Sequence, residues 1–329
     1  MLAELEVVPR LELASAPTAL QEAPRLAQAL GLRRLLVKRD DNTGLAFGGN
    51  KARKLEYLVA DALRMGADVL VTVGGPQSNH CRATAAAARR AGLEAQLVFN
   101  GPPVAAMQGN LLVDQLLGAT WTFAAEGQPV AERMAELGEE LRRAGRQPYL
   151  IPSGGSNGLG ALGYVRAALE LDSQLAELGA RPTQLVCAAG SCGTLAGLTL
   201  GLALAGRELT VVGVSVSRST ADRVARTRAV MEEACSLLDV PTPPAAPVIW
   251  DGYVGPGYGI PTELSRRALQ LAAGCEGLVL DPVYTAKALG GLLGELEAGR
   301  LSADAEVVFV HTGGTPALFA ATDLYWRPD

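Results

Sequence analysis

The chain has 329 residues, 49% of them hydrophobic and 19% charged, a balance that can bury a large core and excludes extended disorder. That length predicts about two domains. Its 29 basic and 34 acidic residues give a net charge of −5 with no run of one sign, which excludes nucleic acid and a membrane surface as partners.

The N-terminal segment "MLAELEVVPRLELASAP" alternates acidic and apolar residues and lacks a basic start followed by a continuous apolar stretch, so no signal peptide is expected. No apolar run reaches the roughly 18 residues of a membrane span. The five cysteines, Cys81, Cys187, Cys192, Cys235 and Cys275, are widely spaced with no CxxC pair, and the only histidines are His80 and His311. Neither a disulfide framework nor a metal site is expected, and the cytoplasm is the expected compartment.

The first distinctive segment is "LAFGGNKARKLEYLVADAL", residues 45–63, in which Leu55, Leu58, Val59, Ala62 and Leu63 recur at helical spacing. Asn50 reads as the N-cap and Lys51 opens the helix, with Arg53 and Lys54 close behind. A cation in a first helical turn meets the positive end of the macrodipole, which disfavours its charged form. A surface lysine would reach water and escape that cost. A lysine kept beside a double glycine, with its charge disfavoured, is the kind that forms Schiff bases and abstracts protons.

Beyond it, β-branched runs alternate with helical patterns: strands at 67–75, 94–100, 119–125 and 148–155, and helices at 129–144 and 157–179. Three more strand patterns follow, "TQLVCAAGSCG", "ELTVVGVSVSR" and "AEVVFVHTGG", each feeding a helix. Strands that are apolar on both faces and joined by helical crossovers predict parallel sheets covered on both sides. Ligands in such sheets bind beyond the carboxyl ends of the strands, where the unusual residues of this chain fall. The segment 239–261 has no period and is read as a long ordered loop.

Three motifs occupy those ends. "GGPQSNHCR" (74–82) places Gln77, Ser78, Asn79 and His80 at a helix start; a cap explains one of them, and four polar side chains suit a carboxylate. "AAGSCGT" (188–194) is a glycine turn opening a helix, an anion site or simply a tight turn, and it is neither a P-loop nor GxGxxG. The strand after it ends in Val216, Ser217 and Arg218, with no carboxylate for a ribose, so a dinucleotide is disfavoured. "DPVYTAKALGGL" (281–292) starts a helix with Tyr284 and Thr285, while Tyr253 and Tyr258 fall in the long loop. A tyrosine there alone is as readily packing as chemistry. Lys51 beside a phosphate-type turn suggests pyridoxal phosphate.

"KRDDNTGLAFGGNKARKLEYL", "GGPQSNHCR", "DPVYTAKALGG" and "HTGGTPALFA" resemble, in order and spacing, the 1-aminocyclopropane-1-carboxylate deaminase and D-cysteine desulfhydrase family, over about Pro9 to Phe319. The resemblance implies a pyridoxal phosphate enzyme of fold type II, similar to the tryptophan synthase β subunit. Such a fold has two open, twisted, mainly parallel sheets with flanking helices and the cofactor between the domains. It implies a small domain at 50–155, a large one at 1–49 and 156–329, and a homodimer. Lys51 is then the Schiff-base lysine, Asn79 bonds the cofactor's ring hydroxyl, and Gly190, Ser191, Cys192, Gly193 and Thr194 hold its phosphate with Lys54 as a second contact. Ser78, Tyr258 and Tyr284 match the substrate-side residues, beside Gln77, Asn79 and His80.

Deaminases of this family carry Glu after the second tyrosine and Leu after the last strand's histidine; this chain has Thr285 and Thr312 there, so it resembles the desulfhydrase branch. Hydroxyls in place of a carboxylate near the pyridine nitrogen imply a milder electron sink, sufficient to expel thiolate. The reaction so implied is α,β-elimination, with Lys51 removing the α-proton of D-cysteine to give pyruvate, ammonia and sulfide. L-cysteate sulfo-lyase and 1-aminocyclopropane-1-carboxylate deaminase are the alternatives, and a non-catalytic sensor of a phosphorylated ligand is the alternative of another class.

Overall fold

The computed structural model describes residues 3–104, 106–217 and 220–321, so Arg218, at the end of the strand that follows the 188–194 motif, lies outside the described residues. In chain order the elements begin with α1 (Ala3–Glu6), β1 (Leu20–Glu22), α2 (Pro24–Leu30), β2 (Arg34–Lys38) and α3 (Lys51–Arg64). Next come β3 (Val69–Gly74), α4 (Asn79–Ala91), β4 (Glu94–Phe99), α5 (Gly109–Leu116), β5 (Thr120–Phe123), α6 (Val130–Arg143) and β6 (Pro148–Ile151). The chain continues through α7 (Gly158–Glu177), β7 (Gln184–Ala189), α8 (Gly193–Leu204), β8 (Thr210–Ser215), α9 (Thr220–Leu238) and β9 (Val248–Trp250). It closes with α10 (Glu263–Glu276), α11 (Thr285–Glu297), β10 (Glu306–Val310) and a 3-10 turn at Thr315–Ala320.

Two sheets result. The larger has the order β1-β2-β10-β7-β8-β9 and the smaller β5-β4-β3-β6. Every pairing is parallel except that of β1 with β2. Residues on α2, α10 and α11 pack one face of the large sheet, and α7 and α8 pack the other. The small sheet is covered by α3 and α4, whose core also takes in Leu13 and Leu45 from the N-terminal segment.

Helices α3, α7 and α8 set the site. A Cβ on Gly163 of α7 would lie 2.1 Å from the Arg53 carbonyl oxygen of α3, and one on Gly197 of α8 would lie 2.4 Å from the Ala161 oxygen of α7. Only glycine permits these backbones to approach so closely, and the approach fixes the starts of α3 and α8 relative to each other. Three local readings change. The 239–261 loop contains β9, whose three residues are too short for a period-2 pattern to show and which is held by pairing with β8. The 148–155 strand stops at Ile151, and Ser153–Gly155 form a 3-10 turn. The segment after β10 is likewise 3-10, following Gly313 and Gly314 at positive φ.

Candidate active site

A cavity of about 370 Å³ opens between the two sheets, at the carboxyl ends of β3 and β7. Lys51 enters it from the start of α3 after four consecutive left-handed residues: Ala46 (φ 40°), Phe47 (φ 70°), Gly48 (φ 64°) and Gly49 (φ 110°). That conformation costs a non-glycine residue about 1–2 kcal/mol, so the loop needs external support. The guanidinium of Arg82, buried on α4, donates to the carbonyls of Ala46 and Gly48, and Thr43 Oγ1 donates to the Gly49 carbonyl at 2.8 Å. The Asn50 amide donates to the Thr312 carbonyl at 3.0 Å.

Asn50 does not cap α3. Its own backbone is helical (φ −58°, ψ −18°), and its side chain donates instead to Thr194 Oγ1 at 2.9 Å, joining the start of α3 to the first turn of α8. Burial lowers the Lys51 amine to about 8, against an opposing pull from the Asp281 carboxylate, and so adds to the effect of the macrodipole. Lys54, one turn on, donates to the Gly154 carbonyl (3.2 Å) and Ser156 Oγ (3.0 Å); burial, then its neighbour Lys51, pushes its amine well below the usual lysine range. Arg53 points the other way, to Asp40 and Glu170.

The donor cluster at α4 divides. Ser78 caps the helix by accepting from the Cys81 amide at 3.2 Å, and it lines the cavity with Asn79. Asn79 Oδ1 accepts from Asn110 Nδ2 at 2.8 Å. His80 reaches the wall, but its Nε2 is engaged with Thr72 Oγ1 at 2.9 Å, and burial keeps the ring neutral. Gln77 is not brought in: its Oε1 accepts from the Asn110 amide at 2.9 Å and its Nε2 donates to the Gln108 carbonyl, so it serves the start of α5. The run of four polar residues therefore serves two helices as well as the cavity.

Opposite, the turn after β7 supplies Gly190, Ser191, Cys192 and Thr194 to the lining, while Gly193 donates its amide to Ser156 Oγ at 3.2 Å. Ser191 Oγ lies 2.7 Å from the same Ser156 hydroxyl. Tyr258 and Tyr284 line the mouth with their hydroxyls 2.5 Å apart and their rings edge to face. Desolvation of the two hydroxyl ends where they meet raises both phenols above their usual range, although the Tyr258 ring is largely exposed, so both are neutral at pH 7.

The two threonines part company. Thr312 lines the cavity, whereas Thr285 is buried outside the lining, with its Oγ1 2.7 Å from Asp281 Oδ1. A hydroxyl on the first residue of α11 finds the carboxylate of Asp281, which caps that helix by accepting from the amides of Val283, Tyr284 and Thr285. Of the two threonines the structure thus brings Thr312, and not Thr285, to the cavity. Asp281 itself was legible as Asp-Pro at a helix start. Also absent from the sequence reading were Ser156, Arg223 and Arg226. Arg223 donates to Ser217 Oγ at 2.6 Å, Arg226 donates to the Ser156 carbonyl, and both line the cavity beside the glycine turn.

Among the described residues, the lining holds Lys51, Lys54, Arg223 and Arg226 and no carboxylate. A model of the family described as pyridoxal-phosphate dependent enzyme matches residues 11–313. The chain belongs to this family. It is 44% identical over 317 residues to the D-cysteine desulfhydrase of Klebsiella pneumoniae (strain 342), covering 95% of this chain and 96% of that one. The D-cysteine desulfhydrase of Salmonella choleraesuis (strain SC-B67) is 43% identical over the same shares. Among solved structures, an ACC deaminase homologue superposes with a TM-score of 0.90 at 39% identity, covering 98% of this chain and 96% of that one. Threonine deaminase isoform 2 from Solanum lycopersicum, at 16% identity and a TM-score of 0.66 over 95% of this chain and 83% of that one, shares the fold alone.

As a member of this family the chain is an enzyme of PLP fold type II, and its cofactor is pyridoxal phosphate. The cavity fits that group. It offers an amine titrating near neutrality for the aldehyde and a glycine turn for a phosphate. Four basic side chains, two of them arginines, and no carboxylate match the cofactor's negative charge.

Proposed function

We propose that the chain is a carbon–sulfur lyase that converts D-cysteine to pyruvate, ammonia and hydrogen sulfide. The observation that carries this reading is the placing of the Lys51 amine, at about 8, in a cavity that also presents a neutral tyrosine pair. Bound pyridoxal phosphate supplies the electron sink that makes the α-proton of an amino acid removable.

The residues do the rest. Lys51 holds the aldehyde end and takes the α-proton. Ser78 and Asn79 bind the substrate carboxylate and the ring hydroxyl. The amides and hydroxyls of residues 190–194, with Lys54, Arg223 and Arg226, hold the phosphate. Tyr258 and Tyr284 share one hydrogen bond and give up a proton to the departing sulfur. Thr312 is the hydroxyl facing the ring, and His80 backs the wall through Thr72. Both arginines sit at the phosphate end, next to Cys192 and Ser156, and the tyrosine end presents hydroxyls. A thiol leaving group suits that end better than the sulfonate of L-cysteate, which would call for a cation there.

The cleft lies between the sheets, and we take 50–155 as the small domain and 1–49 with 156–329 as the large one. A homodimer in the cytoplasm follows from the family resemblance, with light scattering as the check on mass. Among the described residues no helix is long and apolar enough to cross a membrane. The deciding experiment compares 2-oxo acid release, as pyruvate from D-cysteine, L-cysteate and D-serine and as 2-oxobutanoate from 1-aminocyclopropane-1-carboxylate. D-cysteine is expected to give the highest kcat/KM, and Lys51→Ala to abolish release. A preference for the cyclopropane would overturn the reading.

A further inference from the structure

Tyr258 is 55% exposed, yet its hydroxyl is fixed 2.5 Å from that of Tyr284. It sits in the stretch between β9 and α10, residues 251–262, which has no helix or strand and contains Gly252, Gly255, Gly257 and Gly259. A segment that rich in glycine has high conformational entropy and does not hold a side chain to one hydrogen bond unaided. Its anchor is on α11. The Lys287 ammonium donates to the Val254 carbonyl and the Gly257 carbonyl, both at 2.7 Å, and Gly257 directly precedes Tyr258. Further along the helix, Glu295 accepts from the Tyr253 hydroxyl at 2.6 Å. Tyr284 is the residue immediately before α11, one turn from Lys287. Both members of the tyrosine pair are therefore referenced to the same helix.

The usage of lysine in the chain points the same way. Of its 29 basic residues only four are lysines, Lys38, Lys51, Lys54 and Lys287. Lys38, Lys54 and Lys287 are buried, and Lys51 opens onto the cleft; arginine supplies every other cation, including those at the surface. A compact ammonium with three donors suits the two converging loop carbonyls that Lys287 meets.

We propose that Lys287 is a positioning residue of the active site, whose ammonium fixes the 254–257 backbone and thereby holds Tyr258 in its bond to Tyr284. The proposal rests on the role given above to the tyrosine pair. Its test is a double-mutant cycle on the holoenzyme with Lys287→Met, Tyr258→Phe and the double variant, reading kcat and kcat/KM for D-cysteine. Displacing a catalytic group by about 1 Å costs up to ~100-fold, so Lys287→Met is expected to lower kcat/KM by ~10- to 100-fold. The double variant is expected to fall no lower than Tyr258→Phe alone. Lys287→Gln, which keeps a donor, is expected to lie between wild type and Lys287→Met.

A second readout needs no turnover and so separates failure of this proposal from failure of the substrate assignment. Chymotrypsin is expected to cut after Tyr258 several-fold faster in Lys287→Met than in wild type, at unchanged melting temperature. Losses that multiply in the double variant, wild-type kcat/KM in Lys287→Met, or unchanged cleavage would each overturn the proposal.

Discussion

Lys51 differs from an ordinary lysine by its burial. An amine held at about 8 is half in the reactive neutral form by about pH 8, whereas an exposed one waits until pH 10 or more. The scarcity of lysine makes this measurable, because the other three side-chain amines are buried in hydrogen bonds. In cofactor-free protein, acetylation followed by peptide mass spectrometry is expected to mark Lys51 ahead of Lys38, Lys54 and Lys287, with a rate half-maximal near pH 8. A rate still climbing beyond pH 10 would mean that burial does not depress this amine. At the same scale the sequence was readable where residue type restricts chemistry, as at Lys51 and Ser78. It misled where only tertiary contact decides. Asn50 has the type of a cap but finds Thr194, Gln77 has the type of a substrate donor but finds the start of α5, and Thr285 finds Asp281.

Among elements, the alternation of strand and helix was legible because βα units repeat a period of two and then of 3.6 within one stretch of chain. The sheet order was not, since β10, the last strand, lies between β2 and β7 and no local pattern encodes that partner. The loop into α3 escaped in the same way. The double glycine at 48 and 49 was visible beside Lys51, but the left-handed backbone of Ala46 and Phe47 is supported by Arg82 from α4. Phe47 is 64% exposed and at φ 70°, so it carries the backbone cost of that region with little burial in return. Phe47→Gly removes the left-handed penalty of about 1–2 kcal/mol and adds about 0.4–1 kcal/mol of unfolded-state entropy, so the balance favours the variant by up to about 1.6 kcal/mol. The melting temperature is expected to hold or rise by a few degrees. A clear fall would show that the ring makes contacts that outweigh its strain.

For the whole molecule, buried acids contribute to stability against pH with opposite signs. Asp40 and Glu170 lie with Arg53, Lys38 and Thr18 in one cluster that ties the N-terminal segment, β2, α3 and α7 together. Both are desolvated, but Arg53 more than offsets this and holds them below the usual carboxylate range. Their contribution is present above the unfolded values of 3.8 and 4.5 and is lost as pH falls through the lower folded values. Asp114 on α5 behaves in the reverse sense. It is fully buried, neither carboxylate oxygen has a hydrogen-bond partner, and burial raises it from 3.8 to about 8 against the pull of Arg82. The folded state therefore keeps a proton that the unfolded chain has released, and stability declines as pH rises from about 4 to about 8. Asn at position 114 has no proton to lose. Urea unfolding midpoints followed from about pH 5 to about pH 9 should fall in wild type and fall less in Asp114→Asn, leaving the variant ahead by at least about 1 kcal/mol at the alkaline end. Parallel profiles for the two proteins would place the charge of Asp114 in contact with Arg82 in the folded state, and the alkaline decline would then belong to other groups.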